Sequence, residues 1–331
     1  MARHIPLRRV KSKRRRPFRE DLSGATAGKN GLIICNYGQT LDVDDQSGRI
    51  HRCTTRSKID NPVCGDRVLW LPAGRDQGVI VALQARQTLL ARPDGNGTLK
   101  PIAANVDRLI VVTAPRTDND SGRTSDEDPP IDTSLVDRYL IAAELSGIHA
   151  LIVVNKIDLL SPADLARARL FMETYQDIGY QVLFTTAKHS PAAEKLLEAL
   201  KAHTNVFCGP SGVGKSSLVK AVLPDRDIRI GEVSATGGGR HTTALTTFYR
   251  LEQGGALIDS PGVRDFGLWH VDAVQIARGF TEFGRHAPDC RFSDCIHLHE
   301  PGCAVRRAVE AQQVSATRLA SYRRIIASLQ H

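Results

Sequence analysis

Nine consecutive residues, Gly209-Pro210-Ser211-Gly212-Val213-Gly214-Lys215-Ser216-Ser217, match the phosphate-loop pattern in full. Glycines at this spacing let successive backbone N–H groups curl around phosphate oxygens. A helix N-terminus behind them adds partial positive charge. In such a loop Lys215 reaches the outer phosphates and the Ser216 hydroxyl ligates Mg2+. The apolar run Val206–Cys208 precedes the motif and the helix-compatible run Ser217–Leu223 follows it. A chance Gly-rich turn would lack that strand–loop–helix setting.

A phosphate loop alone does not choose between ATP and GTP. Asn155-Lys156-Ile157-Asp158 follows the apolar run Leu151–Val154, at a strand's carboxyl end, where ligands bind in parallel sheets. A carboxylate at Asp158 can accept hydrogen bonds from both N1–H and the amino group of guanine. Adenine lacks that donor pair, so an ATPase reading is disfavoured. The Lys156 stem can pack along the base, and Asn155 can tie this loop to the phosphate loop. Thr186-Ala187-Lys188, after Val182–Phe184, resembles the second base-contacting loop of GTPases.

Two further segments fit the phosphate end of a GTP site. Asp259-Ser260-Pro261-Gly262 follows the run Ala256–Ile258; the Asp can hold Mg2+ through water and the Gly262 amide can contact the γ-phosphate. Gly237-Gly238-Gly239-Arg240-His241-Thr242-Thr243 is a glycine run ending in hydroxyls, suited to a loop that orders around Mg2+ and the γ-phosphate. Either Thr242 or Thr243 would supply the hydroxyl. Many small GTPases place a water-orienting Gln after the Asp-x-x-Gly motif; here that position is Val263. His241 is the best internal substitute, against the plainer reading of an exposed loop histidine. The order is unusual. In ordinary small GTPases the phosphate loop comes first, whereas here the base-reading motifs precede it and the switches follow, which predicts a circularly permuted domain.

Seven cysteines, an odd number, argue against a disulfide framework. Cys290, Cys295 and Cys303 lie within fourteen residues of one another with His297 between them and His299 as a competing ligand. Three thiolates and one imidazole suit a closed, structural tetrahedral Zn2+ site. Cys35, Cys53, Cys64 and Cys208 read as packed thiols.

These motifs need elements to hold them. Residues 31–91 read as five short strands, Leu32–Cys35, Leu41–Val43, Arg49–Thr54, Asp66–Leu71 and Gly78–Leu83, separated by turn formers. That pattern predicts a small β-barrel of the oligonucleotide-binding (OB) type. From about residue 105, strands Leu109–Thr113, Leu151–Val154 and Val182–Phe184 alternate with helices Leu135–Leu145, Ala163–Asp177 and Ala192–Ala202. This is the pattern of an α/β domain with a parallel sheet. The polar, acidic stretch 117–130 reads as a mobile loop. Beyond Trp269 the chain ends in helices around Ala304–Ala311 and Ala316–Leu329. The expected division is a basic tail at 1–30, the barrel at 31–95, the permuted GTPase domain at 96–268 and a mostly helical zinc domain at 269–331.

The formal net charge of the 331 residues is +8. Residues 1–20 hold nine Lys or Arg and one acid, so the tail alone accounts for the excess. Such an arm is expected to be disordered when free and to bind RNA phosphates; a solubility tail is the bland alternative. No apolar run has the length a membrane helix needs, and no apolar stretch follows the first basic residues, so a cytoplasmic protein is expected.

The chain resembles the circularly permuted small-ribosomal-subunit biogenesis GTPases, the RsgA family. The resemblance rests on Ala104-Asn105-Val106-Asp107, Asp137-Arg138-Tyr139-Leu140, Gly239-Arg240-His241-Thr242-Thr243, Asp259-Ser260-Pro261-Gly262 and the C-terminal metal cluster. It implies an OB barrel, a permuted GTPase domain using GTP/GDP and Mg2+, and a zinc domain in which His297 is the ligand. It also implies a monomer that binds rRNA in late maturation of the small subunit and is stimulated by that subunit. The acidic insert and the Arg-rich head depart from the family's usual pattern but touch no nucleotide motif. Two other classes stay open: an RNA-binding module with a nearly inert nucleotide domain, and a translation factor on mature ribosomes using GTP as a switch.

Overall fold

The computed structural model describes residues 28–56, 59–94, 96–116, 130–131, 133–186, 190–224, 246–260, 263, 267–268 and 271–329. The arginine-rich head and nearly all of the acidic stretch lie outside the described residues.

Five strands make the first unit: β1 (Lys29–Asn36), β2 (Leu41–Asp44), β3 (Ile50–Thr55), β4 (Arg67–Pro72) and β5 (Gln77–Leu83). β1 pairs with β2 and with β4, β2 with β3, β3 in parallel with β5, and β5 with β4, so the ring closes. Alternate residues point inward, and Ile33, Leu41, Val43, Cys53, Val68, Trp70 and Ile80 fill the centre. The five-stranded barrel expected from the sequence is present; β1 starts three residues before the expected Leu32, and the other strand edges lie within one residue of the expected ones.

A hairpin that the sequence reading did not anticipate follows. β6 (Leu89–Pro93) and β7 (Leu99–Ala104) form a separate two-stranded sheet. Its turn is closed by Asp94, whose Oδ1 accepts from the N–H groups of Asn96 and Thr98. Leu90, Ile102 and Ala103 carry it into the core of the next domain. The division expected between residues 95 and 96 would separate two strands that pair with each other.

The central sheet runs β10 (Gln181–Phe184), β9 (His149–Val154), β8 (Arg108–Thr113), β11 (Thr204–Cys208), β13 (Ala256–Asp259), β12 (Thr247–Arg250). All neighbours are parallel except β12, which is antiparallel to β13. The strands read as continuous apolar runs because both faces are covered. Leu109 and Val111 join the core under α1 (Thr133–Leu145) and α2 (Pro162–Asp177). Ile110 and Val112 face α3 (Ser190–Leu200) and α4 (Lys215–Val222). β11, which leads into the phosphate loop, lies between β8 and β13, so strands from before and after it in the chain flank it. This is the sheet of a circularly permuted domain.

The last unit holds α5 (Ala273–Gly279), α6 (Ala304–Glu310) and α7 (Ala316–Ala327). α5 was not anticipated; Asp272 and Gln275 cap it reciprocally. Phe280, Phe283 and Tyr322 stack at its centre, and Ile141 of α1 belongs to the same core. Arg318 of α7 is 2% exposed. Its Nε and Nη2 donate to the two oxygens of Glu282 at 2.7 and 3.1 Å, and its Nη1 donates to Asp137 of α1. Tyr175 of α2 donates to the same Asp137 oxygen at 2.9 Å. Burial works against the Arg318 charge, but Asp137 and Glu282 outweigh it and raise its pKa. One guanidinium thus fastens α1 and α2 to the C-terminal unit.

Removing one member of a buried ion cluster strands the others. Arg318→Met leaves two buried carboxylates unpaired and should cost about 3–5 kcal/mol. The exposed Arg323→Met should stay within about 0.5 kcal/mol. Denaturant midpoints of the two variants check this, and equal midpoints would refute it.

Candidate functional site

The phosphate loop leaves β11 at Gly209 and enters α4 at Lys215, as the spacing predicted. Gly209, Gly212 and Gly214 all have positive φ, +137°, +82° and +94°. Two of them are also held by neighbours. A Cβ on Gly209 would lie 2.2 Å from the Val112 carbonyl oxygen of β8, and one on Gly214 would lie 2.3 Å from Asn155 Nδ2. Val213 turns into the core beneath the loop, among the residues that α3 and α4 cover. Ser211, Ser216 and Ser217 are exposed. A cavity of about 270 Å3 is lined by Lys156, Ser211, Gly212, Gly214, Lys215, Ser216 and Ser217. Lys215 Nζ arches over the loop and donates to the carbonyls of Gly209 at 2.7 Å and Pro210 at 2.5 Å.

Asn155 is 1% exposed. Its backbone N–H donates to Thr113 on β8, and its Nδ2 donates to the Val213 carbonyl at 2.8 Å. The base-reading and phosphate motifs therefore touch. Lys156 adopts a left-handed φ of 60°, which turns its stem towards the cavity it helps to line. Ile157–Leu159 form a short 3-10 turn that leaves Asp158 exposed. Thr186, nearly buried, donates from Oγ1 to Asp158 Oδ1 at 2.8 Å, and Ile157 N–H donates to Thr185 O at 3.3 Å. So the loop after β10 braces the loop after β9. Ala187 and Lys188 lie outside the described residues.

Asp259 ends β13, one strand from β11, at the same end of the sheet as the phosphate loop. Ser260 beside it is buried and accepts from Thr246 Oγ1 at 2.8 Å. Gly262, His241, Thr242 and Thr243 lie outside the described residues. Val263 is 1% exposed and packs in the core with Ile258 and Val206. An apolar side chain turned into the core cannot touch a water at the γ-phosphate.

A second cluster lies in the C-terminal unit. The ligand atoms of Cys290, Cys295, His297 and Cys303 all lie within 4.8 Å of one another. His297 Nδ1 is 3.6, 3.5 and 3.4 Å from the sulfurs of Cys290, Cys295 and Cys303. A tetrahedral Zn2+ with ordinary Zn–S and Zn–N bonds would set these edges at about 3.6 Å. The tetrad therefore fits a metal ion, with His297 binding through Nδ1 and His299 outside the set. The backbone of the loop is pinned by Glu300, whose carboxylate accepts from the N–H groups of Ile296, Leu298 and His299. Ala304 N–H donates to Cys290 Sγ at 3.3 Å. Burial and the neighbouring thiols push the Cys295 thiol up to about 12. A thiol so placed gains by exchanging its proton for a cation.

Sequence reasoning missed Thr113 and Val112 of β8, which support Asn155 and Gly209 from below. They lie in an ordinary apolar strand and carry no signal of their own.

Comparison with known proteins agrees with this geometry. The model of the RsgA GTPase family matches residues 83–269. The small ribosomal subunit biogenesis GTPase RsgA of Haemophilus influenzae (strain 86-028NP) is 43% identical over 307 residues, 91% of this chain and 85% of that protein. The protein of the same name from Hahella chejuensis (strain KCTC 2396) is 42% identical over 316 residues, 93% of this chain and 87% of that one. Among solved structures, YjeQ from Thermotoga maritima superposes with a TM-score of 0.73 at 29% identity, covering 91% of this chain and 98% of that one. YloQ, described as a circularly permuted GTPase, gives 0.71 at 25% identity, covering 95% and 98%. With the family model covering more than half of its length and such relatives along nearly all of it, the chain belongs to the RsgA GTPase family and is a GTP-hydrolysing enzyme.

Proposed function

We propose that the chain hydrolyses GTP to GDP and phosphate in late maturation of the small ribosomal subunit, that it binds rRNA, and that the subunit stimulates its turnover. The observation that supports the nucleotide part is the hydrogen bond from Asn155 to Val213, which joins the loop of residues 155–158 to the glycine loop after β11. The subunit part rests on the relatives, which are named for small ribosomal subunit biogenesis.

In this reading Asp158 accepts from the guanine edge while Thr186 holds its other lone pairs in register. Lys156 covers the base, with Ala187 and Lys188 completing that side. The N–H groups of residues 209–217 surround the phosphates. Lys215 exchanges the carbonyls it now contacts for phosphate oxygens. Ser216 and Asp259, with Thr242 or Thr243, would hold Mg2+, which neutralises charge on the β- and γ-phosphate oxygens when bound. Gly262 contacts the γ-phosphate. Since Val263 faces the core, His241 or a group on the subunit orients the attacking water. The Cys290–Cys295–His297–Cys303 tetrad holds one structural Zn2+, and the protein acts as a monomer. The basic head and the barrel supply phosphate and base contacts to rRNA.

Three outcomes are expected. Asp158→Asn should lower GTP affinity on the order of a hundredfold or more and favour xanthine nucleotides, since it swaps an acceptor for a donor; unchanged discrimination in a competition assay would refute the assignment. His241→Ala should keep GTP affinity and lose turnover stimulated by purified small subunits. Turnover equal to wild type would remove His241 from the mechanism. Metal analysis should find one zinc per chain. Cys303→Ser should abolish it and lower the melting temperature while nucleotide affinity stays the same.

A further inference from the structure

The barrel is not merely tethered to the GTPase sheet; it grips the hairpin that carries Asp259. Thr247 of β12 is paired on one side with Asp259 and on the other with Cys35 of barrel strand β1. Cys35 Sγ and Thr247 Oγ1 are 3.8 Å apart. At the far end of β12, Arg250 donates from Nε at 3.1 Å and from Nη2 at 2.8 Å to one oxygen of Asp44 on β2. The Asp44 side chain is 7% exposed and that of Arg250 60%. The barrel also reaches β13 beside β12. A Cβ built on Gly65 would lie 3.1 Å from Ile258 Cδ1, the residue before Asp259, and 2.1 Å from the Ala104 carbonyl oxygen. Asn105 Nδ2 fixes this contact by donating to Gly65 O at 2.9 Å.

We infer that the clamp of Arg250 and Asp44 transmits a displacement of the barrel through β12 to Asp259, so that RNA held on the barrel is felt at the nucleotide. The inference rests on the proposed roles of Asp259 and of the barrel. Its physical basis is the contiguity of the contacts. A shift of β1 or β2 moves Thr247 or Arg250, and the β12–β13 ladder passes this to Asp259 with no intervening loop. Coupling of this kind is reciprocal for binding: GTP must alter the barrel's affinity for RNA by the factor by which RNA alters the affinity for GTP. Arg250 reaches the pair from the solvent side, and Asp44 Oδ1 also accepts from Gln46 N–H at 2.8 Å, so Arg250→Gln, which keeps a donor at this place, and Asp44→Asn, which removes the buried charge, leave the fold standing. Arg250 and Asp44 are positioning residues; neither touches the nucleotide cavity.

The test compares wild type, Arg250→Gln, Asp44→Asn and Arg250→Lys in the full-length chain. GTP turnover is measured alone and with saturating purified small subunits, and subunit affinity is measured with GDP and with a non-hydrolysable GTP analogue. Basal turnover should stay within about twofold of wild type in all three variants. Stimulated turnover should fall at least threefold in Arg250→Gln and Asp44→Asn and recover in Arg250→Lys. The ratio of subunit affinities between the two nucleotide states should shrink in the same two variants. Stimulation equal to wild type in both would overturn the inference, as would equal loss of basal and stimulated turnover, which would mark a structural role only. Failure of the functional reading itself is distinguishable, since wild type would then show no stimulation.

Discussion

The hydrogen bond from the Asn155 amide to the Val213 carbonyl is the joint on which the site depends. It is buried, so its cost if left unmade would be high. It demands a close approach that only a glycine at position 214 permits, because any side chain there would meet the same amide. Two segments 58 residues apart in the chain are thereby held at one distance. That distance fixes the separation of the Asp158 carboxylate from the glycine loop after β11, the spacing that the proposed guanine nucleotide would have to span. Thr186 then braces Asp158 from the next strand, so the two loops rest on a chain of supports running across β11, β8, β9 and β10.

The rotated motif order has a physical rationale in sheet geometry. Strand neighbours place the loops, and neighbours survive when the chain is cut and rejoined elsewhere. Here β8 and β9 come before β11 in sequence and still lie beside it in space. The rotation also decides what the outer strands touch. β12 becomes the seam with the barrel, and the chain beyond β13 runs directly into the C-terminal helices. In an unrotated order those attachments would fall elsewhere.

Legibility differed by the reach of the forces involved. The phosphate loop, the base-reading tetrad and the metal tetrad were readable because their chemistry restricts residue type and spacing within a dozen or so residues. The barrel strands and the parallel strands were readable as β-branched runs between turn formers. β12 and the β6–β7 hairpin were missed: one is only four residues long, the other carries prolines and charges, and both owe their form to the sheets and cores they join. α5, at seven residues, is too short for a helical period to show. The cluster of Asp137, Tyr175, Glu282 and Arg318 was not legible at all. Nothing local in an Arg on one helix announces an Asp 181 residues earlier. The switch residues His241, Thr242 and Thr243 lie outside the described residues, so their reading stands on sequence.

That long separation has a consequence for how the molecule is made. Synthesis runs from the amino end, and domains begin to fold as they emerge. When α1 and α2 first meet the sheet, Asp137 has Tyr175 for company but no counter-charge, because Arg318 belongs to a helix still untranslated. Sealed under α1 at that stage, the carboxyl group would have to keep a proton, because burial disfavours its charge. The charged form of Asp137, and the tie it makes between α1 and the C-terminal unit, therefore belongs only to a chain translated past residue 318.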